Sequence, residues 1–167
     1  MEILFENKYT RDKEWAKDVC SYIFFRRPII IALDIIFALY ILYGIYNSVI
    51  LNIVLWVYIL IPIIWCAFVF IVYRKNVNIL IKRDLEVHGK AIEVTVTVLD
   101  DVIKHSQSTG SELQLNYCDI KKVVQTKKYI YLWSKTNMLY SFKLYSFSLG
   151  AADEFLLFLK NKGIKVK

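Results

Sequence analysis

Between Pro28 and Tyr73 the chain carries a single charged residue, Asp34. A carboxylate in hydrocarbon costs about 2.5–3.5 kcal/mol at the centre of a span on insertion scales, so such a residue is a structural clamp, an interaction or proton-coupled site, or an unpaired group near the interface. On a helix beginning at Pro28 it lies about 9 Å deep at about 1.5 Å per residue. In an antiparallel hairpin it faces Pro62–Trp65. The Trp65 N–H can bond the carboxylate, and a backbone carbonyl freed by Pro62 can bond the protonated acid. Asp34 and Trp65 are therefore the candidate intramembrane polar pair.

Two basic sets could do recognition. Arg26, Arg27, Arg74, Lys75, Lys82 and Arg83 flank the apolar runs. They serve topology and solubility, or attract anionic lipid headgroups at up to about 1 kcal/mol each near the surface. Lys121, Lys122, Lys127, Lys128 and Lys143 fall on neighbouring strand patterns. They form either a solvated face that blocks edge pairing or a rim that binds a phosphate-bearing ligand.

Catalytic patterns are missing: there is no G-x-S-x-G, no glycine-rich phosphate loop and no H-E-x-x-H. Asp100-Asp101, the one adjacent pair of aspartates, falls between two strand patterns, where Asp suits a turn. His88 and His105 have no metal-ligand spacing. Cys20, Cys66 and Cys118 are isolated and are read as free thiols. The expectation is a non-enzymatic protein with no cofactor and no metal. Nucleic acid is not an expected partner, because no stacking platform can be told apart from core aromatics.

These residues need elements to hold them. Water cannot keep the 28–73 run in solution, and a 167-residue chain cannot bury it. It is read as a transmembrane hairpin, spans 28–46 and 50–73, with a tight turn around Asn47-Ser48. At about 1.5 Å per residue the spans reach about 28 and about 36 Å, against about 30 Å of hydrocarbon. The run starts too late and lacks a cleavage site, so it is not a signal peptide. All positive flanks lie on one side, which places both termini in the cytoplasm. Tyr40, Tyr43 and Tyr46, with Trp56 and Tyr58, form an aromatic belt at the other interface.

Residues 1–27 read as a short strand, Glu2–Asn7, then an amphipathic helix capped by Thr10 with a Trp15, Val19, Tyr22, Ile23 stripe. Residues 74–89 continue the second span as a helical stalk, stopped at His88-Gly89. From residue 90 the apolar period changes to two. Six short strands follow at hairpin spacing, the pattern of an antiparallel barrel or sandwich. The net charge of +7 resides in this last part and its stalk. A final helix, capped by Ser148 and stopped by Gly163, closes the chain with Phe155, Leu156, Phe158 and Leu159 on its buried face.

This order of elements, with Tyr117-Cys118-Asp119-Ile120-Lys121-Lys122-Val123, Thr126, Tyr129–Leu132, Phe142-Lys143, Phe147 and Phe155–Leu159, resembles the YcxB-like family of small bacterial membrane proteins. Where members often carry Pro-Lys, this chain has Phe142-Lys143. The resemblance covers essentially the whole chain. It implies residence in the bacterial cell membrane and a cytoplasmic domain over 90–167 related to pleckstrin-homology (PH) folds. It implies no particular activity. The expected fold class is thus an α+β membrane protein, a two-helix hairpin plus a small antiparallel PH-like β-barrel capped by a C-terminal helix. A PH-like barrel has seven strands, and Glu2–Asn7 can supply the seventh. The expected function is presentation of this domain at the inner leaflet to bind a protein partner or a lipid headgroup. The alternative is self-immunity against a membrane-active bacteriocin or secreted toxin. The expected partners are the lipid bilayer, anionic lipids and an unidentified protein; a homo-oligomer is left open.

Overall fold

A computed structural model describes residues 2–51 and 56–166. The elements run β1 (Ile3–Thr10), α1 (Lys13–Phe25), α2 (Pro28–Leu51), α3 (Trp56–His88), β2 (Glu93–Leu99), β3 (Val102–Gln107), β4 (Glu112–Asn116), a 3-10 turn (Tyr117–Asp119), β5 (Ile120–Gln125), β6 (Tyr129–Ser134), β7 (Leu139–Lys143), β8 (Phe147–Leu149) and α4 (Ala152–Asn161). They divide into an α+β unit, Met1–Trp15 with Asp84–Lys167, and a helical unit, Ala16–Arg83.

In the α+β unit, period-two alternation sets the faces of the strands. Val94, Val96 and Val98 are buried, and the intervening threonines are half-buried. The strands form two antiparallel sheets, β4-β3-β2-β1-β8 and β5-β6-β7. β1 sits inside the larger sheet. It pairs with β2 from Ile3–Leu99 to Thr10–Glu93, and with β8 at Glu6–Leu149 and Asn7–Phe147. β8 is a strand beyond the six expected after residue 90. Ser148 lies in it, and its hydroxyl donates to the Glu6 carboxylate at 2.6 Å. It is not the cap of α4. That position belongs to Ala151, whose N–H donates to the Glu154 carboxylate at 3.1 Å. The other end of α4 follows expectation: the Gly163 N–H reaches Lys160 O and the Ile164 N–H reaches Leu159 O, with Gly163 at φ +80°. This is the left-handed helix stop that favours glycine.

The sheets do not close into the expected barrel. A strand has two edges, and β1 spends both, on β2 and β8. At the other side the 3-10 turn separates β4 from β5. The outer edge of β5 takes the chain end instead, through Val123 N–H to Lys165 O at 3.2 Å and a bridge to Val166.

Side chains join what ladders do not. Asn7 is fully buried. Its Nδ2–H donates to Lys143 O at 2.8 Å, and its Oδ1 accepts the Lys143 N–H at 3.0 Å. One side-chain amide thus makes the pair of bonds that a neighbouring strand residue would make. The Trp15 Nε1–H donates to Ser141 Oγ at 3.0 Å, and the Tyr9 hydroxyl shares that same oxygen. Phe155 of α4 meets Phe5 of one sheet at 5.5 Å and Phe142 of the other at 4.6 Å between ring centroids. α4 therefore packs on both sheets.

Between β1 and α1 the cap is Asp12, which accepts the Trp15 N–H at 2.8 Å. The expected cap, Thr10, is still strand, paired with Glu93. Trp15, Val19 and Tyr22 are buried as a stripe, and Ile23 is half-buried.

The helical unit contains two helices long and apolar enough to cross a membrane. α2 has 24 residues and α3 has 33, which is about 36 and about 50 Å at 1.5 Å per residue. The expected turn around Asn47-Ser48 does not form there, because α2 runs through both residues to Leu51. Ile45 and Tyr46 before them and Val49, Ile50 and Leu51 after them give no stop signal, and Asn47 binds its own helix, Nδ2–H to Tyr43 O at 3.1 Å. The expected second span begins at residue 50, within α2. Residues 52–55 lie outside the described residues. α3 passes Pro62 without interruption and extends to His88. The Gly89 N–H then closes on Leu85 O at 2.8 Å with Gly89 at φ +68°.

α2 and α3 pack antiparallel. A Cβ on Gly44 would lie 2.4 Å from Tyr58 Cβ, so only glycine permits this approach. Tyr40 and Tyr43 flank the same Tyr58 ring at 5.3 and 6.2 Å. Tyr73 on α3 meets Phe24 and Phe25 at 6.5 and 5.7 Å, and its hydroxyl donates to Lys17 O at 3.2 Å. In the most apolar window of each long helix only 11% and 6% of the residues are buried.

Candidate functional site

Two stripes spaced i, i+3, i+4, i+7 face each other across the hairpin: Asp34, Phe37, Ala38 and Ile41 on α2, and Pro62, Trp65, Cys66 and Val69 on α3. With Phe25 and Phe70 they line a groove of about 470 Å³. The Trp65 Nε1–H donates to Asp34 Oδ1 at 3.0 Å, and Phe37 lies against the Trp65 ring at 5.4 Å. Asp34 thus faces the groove, held by one hydrogen bond where a carboxylate can accept about four. Among the described residues no Lys or Arg forms an ion pair with it. Apart from Asp34, Pro62 and Trp65, the stripes were invisible in the sequence. Every position of an all-apolar run looks alike, so no contrast marks the facing side.

The flanking basic residues gather at the Pro28 end of the hairpin. Arg26, Arg27, Arg74, Lys75, Lys82 and Arg83 are all exposed. Three guanidiniums rest over rings, Arg26 on Tyr22 at 4.8 Å, Arg27 on Phe24 at 5.9 Å and Arg74 on Phe70 at 5.0 Å. Stacking on an aromatic face fixes the charge while leaving its N–H groups open to an anion. A small cavity of about 140 Å³ lies beside Arg27, lined also by Cys20, Phe24, Tyr73 and Asn76.

The second lysine set does not form one rim. Glu14 binds both Lys128 and, at 3.4 Å, Lys143. The Lys128 hydrogen bond and charge, then Lys143, hold the Glu14 carboxyl below its usual range. Lys122 lies over the Trp133 ring at 5.2 Å. Only Lys121 and Lys127 of the five project freely into solvent. Sequence reasoning missed Glu14 as their counter-charge, because it reaches them across more of the chain than any local pattern spans. Asp100 likewise is drawn to Lys162 at 2.9 Å, within the turn between β2 and β3.

His105, on β3 between Val96 and Leu113, is buried, with Tyr140 edge-on at 5.7 Å. Burial, and then the nearby Arg11 charge, push its pKa down from 6.5 to about 4. The unfolded chain therefore takes up this proton first as pH falls. The stability due to neutral His105 is complete above about pH 6.5 and is lost progressively down to about pH 4, by at most about 3 kcal/mol. Denaturation midpoints of the wild type and His105→Leu across that window check this. The midpoint of the variant is expected to fall less with acid, and equal slopes would contradict the burial argument.

Comparison with protein-family models, with curated proteins and with solved structures finds no match.

Proposed function

We propose that the chain is a non-enzymatic integral membrane protein of the bacterial cell membrane, similar to the YcxB-like family. In this reading α2 and α3 cross the bilayer with both termini cytoplasmic, and the α+β unit is a PH-like module presented at the inner leaflet to bind a protein partner or an anionic headgroup. The observation that carries it is the pairing of two long helices, apolar on nearly every face, with six exposed basic residues at one end of the hairpin. In water that apolar surface would drive aggregation. In a bilayer it is solvated, the backbone is satisfied within each helix, and the basic end meets the negatively charged leaflet. Membranes washed with alkaline carbonate should keep the full-length protein in the pellet, and detergent should release it. Release by carbonate alone would contradict the reading.

A further inference from the structure

We propose that the groove between α2 and α3 binds a lipophilic organic cation, an ammonium or phosphonium centre carried in an apolar body. The proposal rests on the membrane reading above. Within the bilayer the groove must hold something apolar. Its volume of about 470 Å³ lies in the range of small-molecule sites, about 300–1,000 Å³. A lipid acyl chain would fill it but leave the Asp34 carboxylate facing hydrocarbon with only the Trp65 hydrogen bond. That arrangement is costly. An anionic amphiphile is repelled. A metal cation is unsuited, since among the described residues Asp34 is the only lining one with a side-chain oxygen and hard cations take about six or more oxygens.

A lipophilic cation answers every feature of the lining. Its charge neutralises Asp34, which lines the groove beside the apolar side chains of both helices. Its apolar body covers the facing stripes. The Trp65 ring, which lies against Phe37 at 5.4 Å and Phe68 at 6.0 Å, adds an aromatic cluster beside the carboxylate, and aromatic rings attract cations, Trp most strongly. Phe70 already carries Arg74, so the cation belongs at the Asp34–Trp65 level rather than at the basic end.

The test uses the full-length protein in nanodiscs of zwitterionic lipid, with radiolabelled tetraphenylphosphonium as the probe and tetraphenylborate as an anion of the same shape. Saturable uptake near one phosphonium per chain is expected, with no saturable borate uptake. Asp34→Asn should weaken phosphonium binding about tenfold or more. Ala38→Trp, which keeps the carboxylate but fills the groove, should weaken it too. Uptake that never saturates above empty discs, or an Asp34→Asn protein with wild-type affinity, would overturn the proposal. A chain that stays in the discs without saturable uptake overturns this proposal alone. A chain that fails to remain in discs overturns the membrane reading with it.

Discussion

Deletion of residues 1–8 is expected to unfold the α+β unit, although the strands that β1 joins lie far along the chain, at Glu93–Leu99 and Phe147–Leu149. β1 is an interior strand, so its loss strips the ladder from β2 and detaches β8. It also removes Phe5, which packs on Phe155 and Phe158 at 5.5 and 5.7 Å. Phe5→Ala alone should cost about 3–5 kcal/mol. The whole strand exceeds the margin of about 5–15 kcal/mol by which domains are stable. Limited proteolysis of the full-length and truncated proteins in detergent measures it. Rapid digestion of the region after residue 90 is expected only in the truncated protein. Equal resistance would mean that β1 does not hold the sheets together.

The second large effect is expected from one amide. Asn7→Leu keeps the size of the side chain but leaves the N–H and C=O of Lys143 without the bonds they make at 3.0 and 2.8 Å. The C=O keeps the Ser146 N–H at 3.1 Å, so one backbone group is left unsatisfied, which costs about 1–3 kcal/mol, and the loss should be of that size. Asn7→Asp can still accept from the N–H, but at this fully buried position it must either bury a carboxylate against the Lys143 carbonyl or take up a proton, so it should lose at least as much as Leu near neutral pH and recover as the pH falls. Urea unfolding followed by tryptophan fluorescence reads this. A Leu variant as stable as the wild type would show that the two sheets do not depend on this bridge.

How far the fold was legible depended on contrast. Where apolar and polar residues alternate, as in Val94 to Val98, strand and face could be read directly, and Gly89 and Gly163 marked helix ends by their backbone freedom. The pairing of the N-terminal strand was suggested by the alternation of Ile3 and Phe5 and by a missing strand. Its place as an interior strand was not, because β8 is only three residues long and gives no periodic signal. The barrel expectation failed for the same reason, since once β8 takes the second edge of β1, closure by a ladder to β7 is excluded. In the helical unit Asp34 and Trp65 stood out chemically, and their juxtaposition followed from hairpin geometry. The turn did not, because Asn47 and Ser48 are turn formers that a helix also accepts when their polar groups bond within it. Glu14, Asn7 and the groove stripes required the fold, since nothing local distinguishes them.

The central claim is that α2 and α3 form a membrane hairpin with both chain termini on the cytoplasmic side. Impermeant-maleimide labelling of intact cells tests it most directly. Cys20, Cys66 and Cys118 are first replaced, and a single cysteine is then placed at Val49, 80% exposed near the end of α2, or at the exposed Lys165. Val49→Cys should react in intact cells, whereas Lys165→Cys should react only after the cells are opened. Labelling of Lys165→Cys from outside, or protection of both positions in intact cells, would contradict the account.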